Sequence, residues 1–91
     1  MSEDMKGAHL ELYQTLLKLK TVEDCETFLR DLCTMKELDS MAQRILAAKL
    51  LISGETYESI IKKTDISSAT LSRVSRCVKY GEGYKKILSD N

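Results

Sequence analysis

TYESIIKKTDISSATLSRVSRCV, residues 56–78, has the spacing of two short helices joined by a tight turn. Thr56 is placed to act as an N-cap, because a threonine hydroxyl accepts a backbone N–H of the first helical turn. Tyr57, Ile60 and Ile61 then fall on one side of the helix that follows, its expected core face. Thr64-Asp65-Ile66 breaks the period. Asp65 stands where such a turn needs a left-handed residue, and aspartate is among the few residues besides glycine that adopt that conformation at modest cost. Ser67 is a second N-cap candidate, and Leu71, Val74 and Val78 recur behind it at helical spacing. Ser68, Ala69, Thr70, Ser72, Arg73 and Arg76 are left outside that stripe.

Those are the residue types of a recognition helix. Small side chains at the start of a helix let its backbone approach the major groove. Hydroxyls there bond base edges or phosphates, and the methyl of Ala69 or Thr70 can touch thymine. On this reading Ser68, Ala69, Thr70 and Ser72 face bases, and Lys62, Lys63, Ser67, Arg73, Arg76 and Lys79 are candidates for phosphate contact. The alternative is a helical hairpin that uses the same face for a protein partner.

Charge distribution favours nucleic acid. The 91 residues carry 14 basic and 14 acidic side chains, but unevenly. Residues 1–48 hold 6 basic and 9 acidic, a net of −3, whereas residues 49–86 hold 8 basic and 4 acidic, a net of +4. Positive potential thus falls on the half that contains the helical pair.

Length and composition set further bounds. A chain of this size is expected to form one domain over residues 1–91, with dimerisation helices over 8–53, a helix-turn-helix over 55–79 and a C-terminal segment over 84–91. It buries only roughly 60–65% of its unfolded surface, so a subunit interface would add needed burial. There is no proline and there are only 4 glycines, which favours an all-α helical bundle. The 3 cysteines, Cys25, Cys33 and Cys77, lack CxxC spacing and read as small core or interface residues in a reduced, cytoplasmic setting. No metal site is expected, since the one histidine, His9, has no clamp of cysteines near it in sequence. The sequence shows no leader-like apolar run near Met1 and no run of the roughly 20 apolar residues that spans a bilayer.

Before the helical pair, three helices are predicted. Residues 1–7 are polar and expected to fray. Leu10, Leu12, Tyr13, Leu16, Leu17 and Leu19 cover more than one stripe of the first helix, which suits a helix lying between its own subunit and a partner. Thr21 with Asp24 forms a weak capping box for a second helix, whose stripe is Val22, Cys25, Phe28, Leu29 and Leu32. Thr34 with Glu37 forms a better one for a third, central helix carrying Leu38, Met41, Ala42, Ile45 and Leu46, then Leu50, Leu51 and Ile52. Gly54 is placed to end it in a left-handed C′ conformation. After Val78, Gly81-Glu82-Gly83 reads as a helix end and turn. Ile87 and Leu88 can tuck a last helical turn inward, and residues 89–91 are expected to be disordered.

Over about residues 29–78, LCTMKELDSMAQRILAAKLLISGETYESIIKKTDISSATLSR resembles the tryptophan repressor superfamily, in particular its small repressor-like branch. The match rests on Thr34, Glu37 and Arg44, on LISGE at residues 51–55, and on ATLSR at residues 69–73. The resemblance implies an intertwined two-fold homodimer whose helix-turn-helices read half-sites in successive major grooves of double-stranded DNA. It also implies a possible effector pocket, with Arg44 and Arg73 matching the pair of arginines that flanks the corepressor's indole ring and Thr34 matching a threonine near its carboxylate. Arginine suits an anionic or aromatic ligand. The tryptophan-binding members, however, have glycine directly after the second arginine and serine three residues later, where this chain has Val74 and Cys77. The turn is also one residue shorter. A tryptophan-like corepressor is therefore disfavoured, and no cofactor is expected to be required. A salt bridge to Asp39 or Glu37 is the structural alternative for Arg44.

The expectation is a sequence-specific, DNA-binding transcriptional regulator of the repressor type, acting as a homodimer. Catalysis is not expected, because no set of convergent nucleophile, acid and base is legible.

Overall fold

The computed structural model describes residues 2–89, with side chains from Met5 onward. Six helices follow one another and no strand occurs among the described residues: α1 (Ser2–Leu16), α2 (Val22–Leu32), α3 (Met35–Ile52), α4 (Tyr57–Thr64), α5 (Ser68–Tyr80) and α6 (Gly83–Leu88). The fold is all-α, as the sequence implies. The chain divides into two compact units, the first ending at Met35 and the second beginning at Lys36.

The first unit contains α1 and α2. Contrary to the expectation of fraying, residues 2–7 are helical; Met1 lies outside the described residues. Met5, Leu12 and Leu16 form one apolar stripe of α1, and Leu10, Tyr13 and Leu17 a second, with the N–H of Leu17 still donating to the Tyr13 carbonyl at 3.2 Å. Both stripes are exposed, and none of residues 5–35 is buried. In α2 the Thr21 hydroxyl accepts the Asp24 N–H at 2.9 Å, as its N-cap position requires. The reciprocal bond closes one residue earlier than in a capping box, since the Asp24 carboxylate accepts from the N–H of Lys20 at 3.1 Å. Of the expected stripe, Cys25, Phe28 and Leu29 are half-buried while Val22 and Leu32 stand exposed at its two ends.

The second unit holds the buried core: Ala47 and Ala48 from α3, Ile60 from α4, Ile66 from the turn, and Leu71 and Val74 from α5. Leu50, Leu51, Val78, Tyr84 and Leu88 pack around these six. Burying a side chain the size of Ile60 or Leu71 stabilises the fold by roughly 1.5–3 kcal/mol. The sequence pattern favours other positions on α3, because Ile45 and Leu46 are larger and equally apolar. Both are exposed, and the two alanines lie innermost. Ala47 and Ala48 are the α3 residues that pack with Ile60, Leu71 and Val74 in the core. On α4, only Ile60 of the expected trio is buried; Tyr57 and Ile61 flank it, partly exposed.

Helix ends are set locally. At the end of α3 the Glu55 N–H donates to the Leu50 carbonyl at 3.0 Å and the Gly54 N–H to that of Leu51 at 3.1 Å, the paired bonds of a Schellman motif around Gly54 at φ +95°. At the end of α5 a Cβ on residue 81 would stand 2.6 Å from the Cys77 carbonyl oxygen, so Gly81 is needed for close approach. Ser89 caps α6, its N–H donating to the Lys85 carbonyl at 3.2 Å, which corrects the expectation of disorder there; Asp90 and Asn91 lie outside the described residues. Leu88 packs on the core as expected, but Ile87 points outward.

Between α4 and α5, Asp65 is left-handed at φ 64° and ψ 16°. An L-residue is strained there, glycine is not, and aspartate falls between. Urea midpoints should therefore order Asp65→Gly at or above the natural protein and Asp65→Ala below it, the alanine costing about 1 kcal/mol. An alanine variant as stable as the glycine one would contradict the left-handed turn.

Candidate nucleic-acid interface

The α4–turn–α5 segment is built by three hydroxyls. Thr56 Oγ1 accepts the Ser59 N–H at 3.1 Å and starts α4; Ser67 Oγ accepts the Thr70 N–H at 3.1 Å and starts α5. Thr64, buried at the corner, donates its hydroxyl to the Ile60 carbonyl at 2.7 Å and accepts the Ile66 N–H at 3.2 Å. Gln43 of α3 reaches across 21 residues and donates its amide to the Thr64 carbonyl at 3.0 Å. The Asp65 N–H also donates to the Ile61 carbonyl at 2.9 Å, and these bonds together hold the turn and so the setting of α5 against α4.

With Leu71 and Val74 turned into the core, helical spacing puts Ala69, Ser72, Arg73 and Arg76 together on the outer side of α5, all exposed. Tyr80 continues that face one turn beyond Arg76 and is 79% exposed. The sequence reading passed over it, although its spacing from Arg73 and Arg76 marks it. Ser68 and Lys79 are exposed on one flank. Thr70 is half-buried, and its hydroxyl accepts a bond from that of Ser67 at 2.9 Å, so these two side chains are partly engaged in holding the helix start. α5 contains no acidic residue at all. Its outer face is therefore small, hydroxylated and positive.

On α4, Lys62 and Lys63 are both exposed but differ in environment. Lys63 Nζ donates to Glu55 Oε1 at 3.2 Å, and Ser59 Oγ donates to the same oxygen at 2.6 Å. The two bonds and the nearby ammonium hold the Glu55 carboxyl below its ordinary value, the Ser59 bond contributing most. Lys62 makes no ion pair among the described residues, although Glu58 stands one turn before it. At the far end of α5, Lys85 Nζ donates to the Lys79 carbonyl at 3.3 Å, a cation at a helix C-terminus.

Of the three residues expected around an effector, Thr34 belongs to the first unit and directly precedes α3, while Arg44 is half-buried on α3 and Arg73 exposed on α5 in the second. Among the described residues Arg44 makes no ion pair with Asp39. Val74 is a core residue, 1% exposed. Cys77 is exposed in the single chain and so is not a core residue, while Cys25 and Cys33 are half-buried. Cys77 lines an apolar concavity of about 560 Å³ with Ile45, Tyr84, Ile87 and Leu88; neither arginine borders it. No cluster of three or more metal-ligating side chains occurs among the described residues, and no described helix is long and apolar enough to cross a membrane.

A family profile described as Trp repressor protein matches residues 8–91. The chain belongs to the Trp repressor family. That is a regulatory DNA-binding family, and the match takes in all of α3 to α6, well beyond the segment whose motifs carry the resemblance in sequence. The Bacillus subtilis (strain 168) "Uncharacterized protein YerC" is 44% identical over 88 residues, covering 94% of this chain and 85% of that protein. Among solved structures, a "putative Trp repressor" from Staphylococcus aureus superposes with a TM-score of 0.86 at 41% identity, covering 94% of this chain and 88% of that one. A "TrpR like protein" from Eubacterium eligens ATCC 27750 gives 0.85 at 40% identity, covering 89% and 84%. This member of the Trp repressor family thus shares its fold with those structures over nearly its whole length.

Proposed function

We propose that the chain is a sequence-specific transcriptional regulator of the repressor type, a cytoplasmic protein that binds double-stranded DNA as a homodimer through α4 and α5. The observation that carries this reading is the outer face of α5. Ala69, Ser72, Arg73 and Arg76 lie exposed there with no acidic residue on the helix to compensate the arginines. Such a face can enter the major groove, its arginines reaching phosphate or base edges and its small residues lying close to bases. Ser68 and Thr70 add hydroxyls near the helix start, and Lys62, Ser67 and Lys79 flank it as phosphate contacts. The dimer is supported by the two exposed apolar stripes of α1 and by the lack of any buried residue over residues 5–35.

Tryptophan is not the effector in this reading. Val74 fills core volume where the tryptophan-binding members have glycine, and Cys77 offers an ammonium group a poor partner. Arg44 and Arg73 would favour a small anionic or aromatic ligand.

Fluorescence anisotropy with pooled random-sequence duplex DNA, at several salt concentrations and with or without L-tryptophan, tests the reading. Binding should weaken steeply with salt, be unaffected by tryptophan, and lose about 0.9 units of log–log slope for each phosphate contact removed by Lys62→Ala. Absence of salt-dependent binding at low ionic strength would favour a helical module that uses the same face for a protein partner.

A further inference from the structure

Two lysines sit side by side at the end of α4, and among the described residues one is ion-paired and the other is not. We propose that Glu55 is a positioning residue that holds Lys63 out of the phosphate-binding set, so that Lys62 makes the α4 backbone contact and the affinity for DNA is kept below what the lysines alone would give. This inference rests on the DNA-binding reading and concerns how strongly that same surface binds.

Glu55 is fixed before it acts. Its N–H closes the Schellman motif on the Leu50 carbonyl at 3.0 Å, so its backbone cannot swing with the preceding residues. From that anchor its carboxylate lies along one flank of α4, where residues 55, 59 and 63 are each one turn apart. A single oxygen, Oε1, takes both the Ser59 hydroxyl at 2.6 Å and the Lys63 ammonium at 3.2 Å. Serine supplies the middle rung. It is short and neutral, so the lysine amine can be drawn back from the C-terminal end of α4, where the turn and α5 begin, toward the start of the helix. Lys62 points a full helical step away from this ladder and has no such partner among the described residues.

The clamp is adjustable rather than permanent. The side chains of Lys63 and Glu55 are 54% and 32% exposed, and a pair that open to solvent is weak enough for a phosphate to compete. A phosphate that recruits Lys63 must first separate it from Glu55 and then lie close to an uncompensated carboxylate. The cost is felt equally on every sequence, because phosphates carry no sequence information. Specific contacts from α5 therefore count for a larger share of the total binding energy, and non-specific binding is held down.

The experiment compares Glu55→Gln, Lys63→Ala and the double variant with the natural protein on random-sequence duplex DNA across a salt series. Glutamine still accepts from the Ser59 hydroxyl but carries no charge, so the ionic part of its hold on the Lys63 ammonium is lost. Glu55→Gln should bind three- to tenfold more tightly at low salt, with the log–log slope steeper by about 0.9 for each helix-turn-helix engaged. Lys63→Ala alone should leave the slope unchanged, and in the double variant the slope should return to that of the natural protein. An unchanged slope in Glu55→Gln, or a slope flattened by Lys63→Ala in the otherwise natural protein, overturns the clamp while leaving DNA binding intact. If circular dichroism shows that Glu55→Gln has lost helix, Ser59→Ala gives the second reading: a smaller shift in the same direction supports the clamp, and none overturns it. No salt-dependent binding by any of the proteins overturns the DNA-binding reading and the clamp with it.

Discussion

Leu71→Ala is expected to destabilise the second unit by about 2–5 kcal/mol and to abolish DNA binding with it. Leu71 is fully buried among Ile60, Ile66, Val74 and the two alanines of α3. Truncating it removes transfer energy and leaves a cavity that short helices held by caps at both ends cannot easily collapse to fill. Small domains are stabilised by only about 5–15 kcal/mol in total, so a loss of this size takes away a large fraction. The functional loss follows because Leu71 lies on the inner side of the helix that presents Ser72 and Arg73 on its outer side. Urea denaturation followed by circular dichroism reads the change as a lower midpoint at similar slope. Ile87→Ala, at a residue 74% exposed in the single chain, is the comparison and should change stability far less at concentrations where the chain is monomeric. A loss below about 1 kcal/mol for Leu71→Ala would mean that this core is misassigned.

The parts of the fold that were legible in the sequence are those decided within one turn of helix. Thr21, Thr56 and Ser67 cap because a short hydroxyl next to a free N–H has little else to do, and Gly54 and Asp65 go left-handed because the helix before each must stop. The stripe Leu71, Val74 and Val78 was equally plain, since polar residues leave it only one inward face. α3 resisted such reading. Around Ile45, Leu46, Ala47 and Ala48 the helix is apolar on nearly every side, so periodicity cannot choose the face that packs, and size misleads by favouring the isoleucine over the alanines. The candidate site divides in the same way. The residue types of the α5 face could be read from spacing, but not that Thr70 is tied to Ser67 or that Lys63 is tied to Glu55, because those depend on side-chain directions. The Gln43 bond to Thr64 spans 21 residues and no local pattern announces it. Arg44 and Thr34 came forward only through resemblance to a family, because no local spacing marks either as a ligand contact.

A pair of aspartates at Leu10 and Leu17 should dissociate the proposed dimer at least about a thousandfold more readily. In the single chain Leu10 and Leu17 are 56% and 82% exposed, and they share a stripe of α1 with Tyr13. A soluble chain does not leave such a stripe, and a second beside it, open to water without cost, and a partner that covers them recovers roughly 1.5–3 kcal/mol for each leucine. A two-fold interface uses each residue twice, so two substitutions alter four side chains. Losing them, and asking four carboxylates to leave water, removes at least about 4–6 kcal/mol, which at 1.4 kcal/mol per factor of ten is a thousandfold or more in the dissociation constant. Sedimentation equilibrium over a range of concentrations reads this directly. Lys18→Asp, at an exposed residue in the turn that follows α1, is the control and should leave the dimer intact. The result bears on DNA as well, because half-sites bound independently lose the gain from linkage, and the monomeric variant should retain salt-dependent but much weaker binding. A natural protein that stays monomeric at high concentration, or a double variant that stays dimeric, would place the function of these stripes elsewhere.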